Sequence, residues 1–313
     1  MEIFTVLGFY PIERLTAIVR KQLQGRTNMQ NGQPSRTALG AAIRRAAHQT
    51  LDGARIFKDP FAHILLGQEA GALIEAVSAD PAQRQMRVFM AARSRFAEDC
   101  LGAAVSRGVR QVAIVGAGLD TFSLRNPHAS LGLRVFEVDH PTTQAWKRER
   151  IDEAGLVAPA SLTFAPVDFE HQSLAEGLVA AGFQPTQPAF FLWLGVVPYL
   201  RRDAISAILQ FIASMPRSEV VFDYSEPLEN YSPERRANVA AVAARTAAIG
   251  EPWLSYFDPS ELSKDLHELG FQELEDLGLT DIAVRYLGAP KYDATGDAGP
   301  HVICARRLDG LSA

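Results

Sequence analysis

The chain has 313 residues, 47% of them hydrophobic and 21% charged, and sets 31 Lys and Arg against 36 Asp and Glu for a net charge of −5. That profile belongs to a globular protein and excludes disordered, fibrous and disulfide-scaffold chains. The acidic balance gives no long-range pull toward phosphate backbones or anionic lipid, and basic clusters go no further than pairs such as Arg44-Arg45 and Arg306-Arg307, so neither nucleic acid nor a membrane surface is an expected partner. Cys100 and Cys304 lie far apart without a CxxC or Cys/His spacing, which reads as two reduced thiols rather than a metal site or disulfide. The apolar stretch Met1–Leu23 is broken by Glu2, Pro11, Glu13 and Arg14 and lacks the features of a signal peptide. No apolar run reaches the roughly 18 residues of a membrane span, and a cytoplasmic location is the expectation.

Residues 1–33 read as an N-terminal arm and linker, the linker marked by the polar, breaker-rich run around 24–36; the arm is the expected place for a homodimer contact. Residues 34–108 read as a helical cap region. Ser35 caps a helix with Leu39, Ala42, Ile43, Ala46, Ala47 and Leu51 at helical spacing, Asp59-Pro60 opens a short one, and Asp80-Pro81 opens a long one that stops at Gly108. Residues 109–313 read as a ligand-binding α/β domain. Strands at Val112–Val115, Leu133–Phe136, Leu162–Phe164, Phe190–Leu194 and Val220–Phe222 alternate with helices around 121–126, 141–154, 172–181 and 203–214. That order predicts a Rossmann-like, doubly wound, mostly parallel sheet of seven strands. A helical lid insertion is expected around 225–256, where Ala237–Ala248 is either a lid helix or a closely packed one. Two late runs, Thr280–Leu287 and His301–Ala305, are expected to pair antiparallel at the C-terminal edge, since the loop between them is too rich in breakers for a helical crossover.

Ligands of open α/β sheets sit beyond the carboxyl ends of the strands. The first strand ends in Gly116-Ala-Gly118-Leu-Asp120-Thr121, a turn whose glycines allow close backbone approach. Thr121 fills the slot where a dinucleotide fingerprint has its third glycine, which favours a mononucleoside-sized ligand over a nicotinamide. Asp139, 21 residues past Gly118, has the spacing of a ribose-binding acid; Glu137 shares its strand face, and one of the two is open to reading as a solvated edge charge. Asp168-Phe169 after the third strand suits an adenine amino group and ring face, or a helix N-cap. Gly195 either admits a ligand or ends its strand. Tyr199 and Tyr256 are candidates for the substrate side, and His140, His171 and His48 are more readily structural.

The ordered set Val112–Thr121, Phe136-Glu-Val-Asp-His-Pro141 with Lys147, and Val167-Asp-Phe169 resembles class I S-adenosylmethionine-dependent methyltransferases of the leucine carboxyl methyltransferase type, closest to their bacterial branch. Pro34-Ser-Arg-Thr-Ala38, Asp59-Pro60 and Ala91-Ala-Arg-Ser-Arg95 fit the same branch, so the resemblance runs from about residue 34 to the C-terminus. It implies S-adenosyl-L-methionine as cofactor, with Arg93 for the methionine carboxylate, Gly116, Gly118 and Asp120 in the loop beneath the methionine part, Asp139 for the ribose, and Asp168 with Phe169 for the adenine. Arg95 competes with Arg93 for the carboxylate. Leu194 stands where eukaryotic relatives have a cofactor-touching glutamate, a departure from the pattern. The implied activity is O-methylation of a small-molecule acceptor, a carboxylate ahead of a phenol or hydroxyl, since a carboxylate with a pKa near 4 needs no base at neutral pH. A non-catalytic S-adenosylmethionine-binding protein and an NAD-dependent oxidoreductase are the alternatives.

Overall fold

A computed structural model describes residues 35–78, 81–169, 171–248, 250–290 and 298–308, without the side chains of 81 and 82. The arm at 1–33, with its expected dimer contact, and Pro34 lie outside the described residues. Among the described residues four α-helices come first: α1 (Arg36–Leu51), α2 (Phe61–Leu66), α3 (Ala70–Ser78) and α4 (Pro81–Ser106). Ser35 Oγ accepts from Ala38 N at 3.2 Å to cap α1, and Asp59 Oδ1 accepts from Phe61 N and Ala62 N to start α2.

A regular alternation follows: β1 (Gln111–Val115), α5 (Phe122–Arg125), β2 (Arg134–Asp139), α6 (Pro141–Glu153), β3 (Leu162–Pro166), α7 (Leu174–Ala180), β4 (Phe190–Trp193), α8 (Arg202–Ala213) and β5 (Glu219–Ser225). Next come α9 (Pro233–Ala248), α10 (Pro259–Glu268), β6 (Glu273–Leu277), α11 (Leu279–Leu287) and β7 (Pro300–Arg306). The seven strands lie in the order β3-β2-β1-β4-β5-β7-β6, with β1 to β5 parallel and β7 antiparallel to both its neighbours.

The C-terminal end departs from the sequence expectation. His301–Ala305 lies within β7 as expected, but β7 is inserted between β5 and β6 and does not form the edge. Thr280–Leu287, expected as its partner strand, is helical: Ile282, Ala283, Tyr286 and Leu287 recur at helical spacing and pack on the core. The partner is the missed Glu273-Leu-Glu-Asp-Leu277, whose alternating half-buried and exposed residues are those of an edge strand.

The period of two along each strand splits the core. Ala113, Val115, Phe191, Trp193, Val220 and Phe222 face α7, α8 and α10, while Val112, Ile114, Phe190, Leu192 and Val221 face α4 and α11. A third cluster joins α1, α2 and α3 with Leu119, which follows the β1 turn, so these helices sit directly over the glycine loop.

Candidate cofactor site

The glycine loop is shaped from both sides. Gly116 and Gly118 have φ of 67° and 48°, in the region that favours glycine. A Cβ on Gly118 would lie 2.9 Å from Ala38 Cβ of α1, and one on Gly116 would run into Val196 beyond β4. The missing side chains therefore let the cap and the β4 loop close on the turn. Asp139 holds the loop: its Oδ2 accepts from Gly118 N at 2.6 Å and its Oδ1 from His140 N at 2.7 Å. Burial pushes this carboxyl above the ordinary range, against the pull of those two N–H groups.

Glu137, the other acid of that strand, is no solvated edge charge. It is fully buried, Lys147 Nζ donates to Oε2 at 2.6 Å and Ser123 Oγ donates to Oε1 at 2.6 Å. Asp120 is half-buried and accepts from Phe122 N at 2.7 Å. Burial opposes its charge, but Arg45, Lys147 and Arg125 around it prevail and hold its carboxyl below the usual range. Thr121, in the third-glycine slot, is buried and donates to Asp59 Oδ2 at 2.7 Å; Arg45, 3.4 Å from the same acid, also donates to Leu119 O. The Asp59-Pro60 pair thus ties the cap to the glycine loop.

Of the two arginines in competition, Arg93 is buried at 8% exposure on the α4 face that carries Phe89 and Phe96, while Arg95 is exposed and paired with Asp99 one turn on. Arg93 Nη1 donates to Asp223 Oδ2 at 2.5 Å, and Asp223 Oδ1 accepts from Gly195 N at 2.5 Å. Gly195 has φ of 73°, and a Cβ there would stand 3.0 Å from Arg93 Nη2, so this glycine makes room for the guanidinium. Arg93 Nε is buried with no hydrogen-bond partner among the described residues. An orphaned, buried cationic donor at the carboxyl edge fits a carboxylate ligand. Asp223 is the residue that sequence reading missed; its signal was an acid two positions past Val221, on the strand face turned toward α4.

Leu194 is half-buried against the core on the α4 side. Asp168, two residues past β3, is half-buried, its carbonyl accepting from His171 N and Gln172 N, and Phe169 beside it is 45% exposed, an aromatic face outside the core clusters of the described residues.

The opposite wall comes from the β4 loop and the segment after α9. Tyr199 closes a short 3₁₀ turn, Val197–Tyr199, with Thr37, Glu251, Trp253 and Arg93 around its hydroxyl; burial raises its pKa above the ordinary value. Leu254 N and Ser255 Oγ donate to the carbonyls of Pro198 and Leu200, each at 2.6 Å, which stitches this segment to the β4 loop. Trp253 and Tyr256 meet at 6.2 Å between ring centroids, and the Trp253 Nε1–H is buried without a well-formed hydrogen bond among the described residues. Glu251 accepts from Arg36 N at 2.9 Å and Thr37 N at 3.0 Å, joining the segment to the start of α1. Trp253 and Glu251 were not singled out from sequence, since neither belongs to a local motif. The histidines are engaged or peripheral: His140 Nδ1 caps α6, His48 Nδ1 meets Asp52 at 3.0 Å, and His171 is exposed.

Comparison with known proteins bears on this site. The model of the leucine carboxyl methyltransferase family matches residues 38–213, more than half of the chain. A Bacillus subtilis (strain 168) protein, provisionally named as an S-adenosyl-L-methionine-dependent methyltransferase, is 32% identical over 279 residues, covering 81% of this chain and 91% of its own. A Mycobacterium avium (strain 104) protein of the same provisional name is 31% identical over 259 residues, covering 77% of this chain and 80% of its own. Among solved structures, one described as a methyltransferase candidate from Thermobifida fusca YX aligns with a TM-score of 0.55 at 16% identity over 89% of this chain and 97% of that one, which shows the fold. A duf574 family protein from Streptomyces avermitilis aligns with a TM-score of 0.52 at 17% identity, covering 84% of this chain and 96% of that one. The oxidoreductase alternative is thereby set aside: the chain belongs to the leucine carboxyl methyltransferase family and is an S-adenosylmethionine-dependent methyltransferase.

Proposed function

We propose that the chain methylates an oxygen of a small molecule, a carboxylate in the first place, with Arg93, Gly116, Gly118, Asp120, Asp139, Asp168, Phe169 and Leu194 around S-adenosylmethionine and Tyr199 and Tyr256 on the acceptor side. The cofactor supplies an electrophilic methyl group on a sulfonium. The chain's own residues bind, orient and exclude water. Asp139 keeps lone pairs beyond those given to Gly118 N and His140 N, which suits a ribose diol; Phe169 offers a ring face to the adenine.

The observation that carries the carboxylate reading is the state of Tyr199. Burial moves the half-buried phenol's pKa up from its ordinary value, which suits it as a hydrogen-bond donor to an acceptor oxygen rather than as a base. His140 and His48 are engaged elsewhere, which leaves the acceptor wall without an imidazole base among the described residues. An acceptor that is already ionised fits such a wall. The test is transfer of a radiolabelled methyl group from S-adenosylmethionine to a panel of carboxylic acids and phenols, followed by mild alkali. A methyl ester releases labelled methanol; an alkali-stable label appearing only with phenols would replace the carboxylate reading with the phenol one.

A further inference from the structure

The Arg93–Asp223 pair is complementary to a zwitterion. Both side chains are buried, at 8% and 6% exposure, and Asp223 is held by a backbone N–H as well as by its partner. Gly195 makes room for the guanidinium, and Gly195 N donates to Asp223 Oδ1. The guanidinium retains an orphaned Nε–H, so its hydrogen-bonding capacity exceeds what the protein uses. The strand register adds a second fact. β4 and β5 run parallel and their ladder ends with Trp193 opposite Phe222, so Leu194 and Asp223 are the next residues of the two segments past that pair. Leu194, one residue past β4, carries no charge, and a buried carboxylate, Asp223, lies on the neighbouring strand.

We propose that Asp223 is a cofactor-binding residue that receives the α-ammonium of the methionine moiety while Arg93 receives its α-carboxylate, so that β5 supplies the acid that β4 lacks at Leu194. This rests on the reading that the carboxyl-edge site holds S-adenosylmethionine. Without ligand the two side chains satisfy one another, and the amino-acid zwitterion replaces that pairing with two charge-assisted contacts. A buried charge left alone is strongly disfavoured, which explains why the acid and the arginine occur together.

The experiment is titration calorimetry of the full chain with three probes: S-adenosylhomocysteine, its analogue lacking the α-amino group, and 5′-methylthioadenosine, which lacks the amino-acid part altogether. Wild type should bind the first at least about tenfold more tightly than the desamino analogue, as expected for loss of a charge-assisted contact. Asp223→Asn should lose that discrimination, binding both alike, while its affinity for 5′-methylthioadenosine stays within about twofold of wild type, since the adenosine end is untouched. Should Asp223→Asn not fold, the paired Arg93→Met/Asp223→Leu variant, which strands no charge, takes its place, and the same loss of discrimination is expected. A variant that still prefers S-adenosylhomocysteine over its desamino analogue as strongly as wild type does would overturn the role of Asp223 and leave the cofactor reading standing. Wild type that binds none of the three would overturn both.

Discussion

Lys147 and Glu137 show how far a buried charge depends on one neighbour. Both side chains are essentially inaccessible and meet at 2.6 Å on the inner side of α6. Removing one partner strands the other, which typically costs about 3–5 kcal/mol, whereas replacing both by apolar groups is often neutral. Lys147→Met should therefore lower the unfolding free energy by about that amount in urea titration, and Lys147→Met/Glu137→Leu should recover most of it; a single variant as stable as wild type would contradict this account. Gly195 makes a related point. With φ of 73° and a guanidinium 3.0 Å from where a Cβ would stand, Gly195→Ala should displace Arg93 and weaken S-adenosylhomocysteine binding at least about tenfold while leaving 5′-methylthioadenosine binding nearly unchanged. Equal losses for both probes would place the damage elsewhere than at the methionine end.

At the scale of elements, α4 and α9 are opposites. α4 lays Phe89, Ala92, Phe96 and Leu101 on the sheet, all buried, and carries Arg93 at a fixed point of that face. α9 has no buried residue along Pro233–Ala248. It is moored near its ends: Arg236 donates to the carbonyls of Leu228, Glu229 and Tyr231, and Glu251 beyond it holds the first N–H groups of α1. A helix with so little burial opens at low free energy. Hydrogen exchange should therefore be much faster at the amides of 237–248 than at those of 89–105, and S-adenosylhomocysteine with an acceptor should slow it if this helix closes over the cleft. Matching protection in the two helices without ligand would refute that assignment of local stability.

Across the whole molecule, the C-terminal strands are tied together by one half-buried imidazole. His301 on β7 contacts Asp276 of β6 through Nδ1 and Glu226, just past β5, through Nε2, each at 3.1 Å, and stacks on Tyr224 at 4.9 Å. Tyr224 in turn donates to Asp276 Oδ2, and Glu226 also accepts from Asn230 and from Gly299 N. Burial alone would lower the imidazole pKa, but the two carboxylates overcome it and raise it to about 9. A folded pKa above the unfolded value of about 6.5 gives stability that is fully present below pH 6.5 and is lost as pH rises through 9. The unfolding midpoint should fall between pH 6.5 and 9.5 in wild type, and His301→Gln should be less stable at pH 6.5 and flatter over the same range. A wild-type profile that rises across this window would contradict the charged state of His301. No helix among the described residues is long and apolar enough to cross a membrane.

The sequence by itself determined the parallel α/β order, the glycine turn after β1, the acids at the end of β2 and just past β3, and the helices from Ser35, Asp59-Pro60 and Pro81. Each of these is written in local periodicity, in caps and in breakers, which act over a turn or two of chain. It failed where local signals conflict: the apolar run Thr280–Leu287 passes for a strand until its helical spacing is set against the alternation in Glu273–Leu277. Only the tertiary structure decided which charges meet. Glu137 and Asp139 share a strand face, yet one lies buried against Lys147 and the other braces Gly118. Arg93 and Asp223, 130 positions apart, are joined because the phase of α4 and the register of β5 bring them to one point. Phase and register are set by packing over the entire sheet, and no stretch of sequence around either residue carries that information.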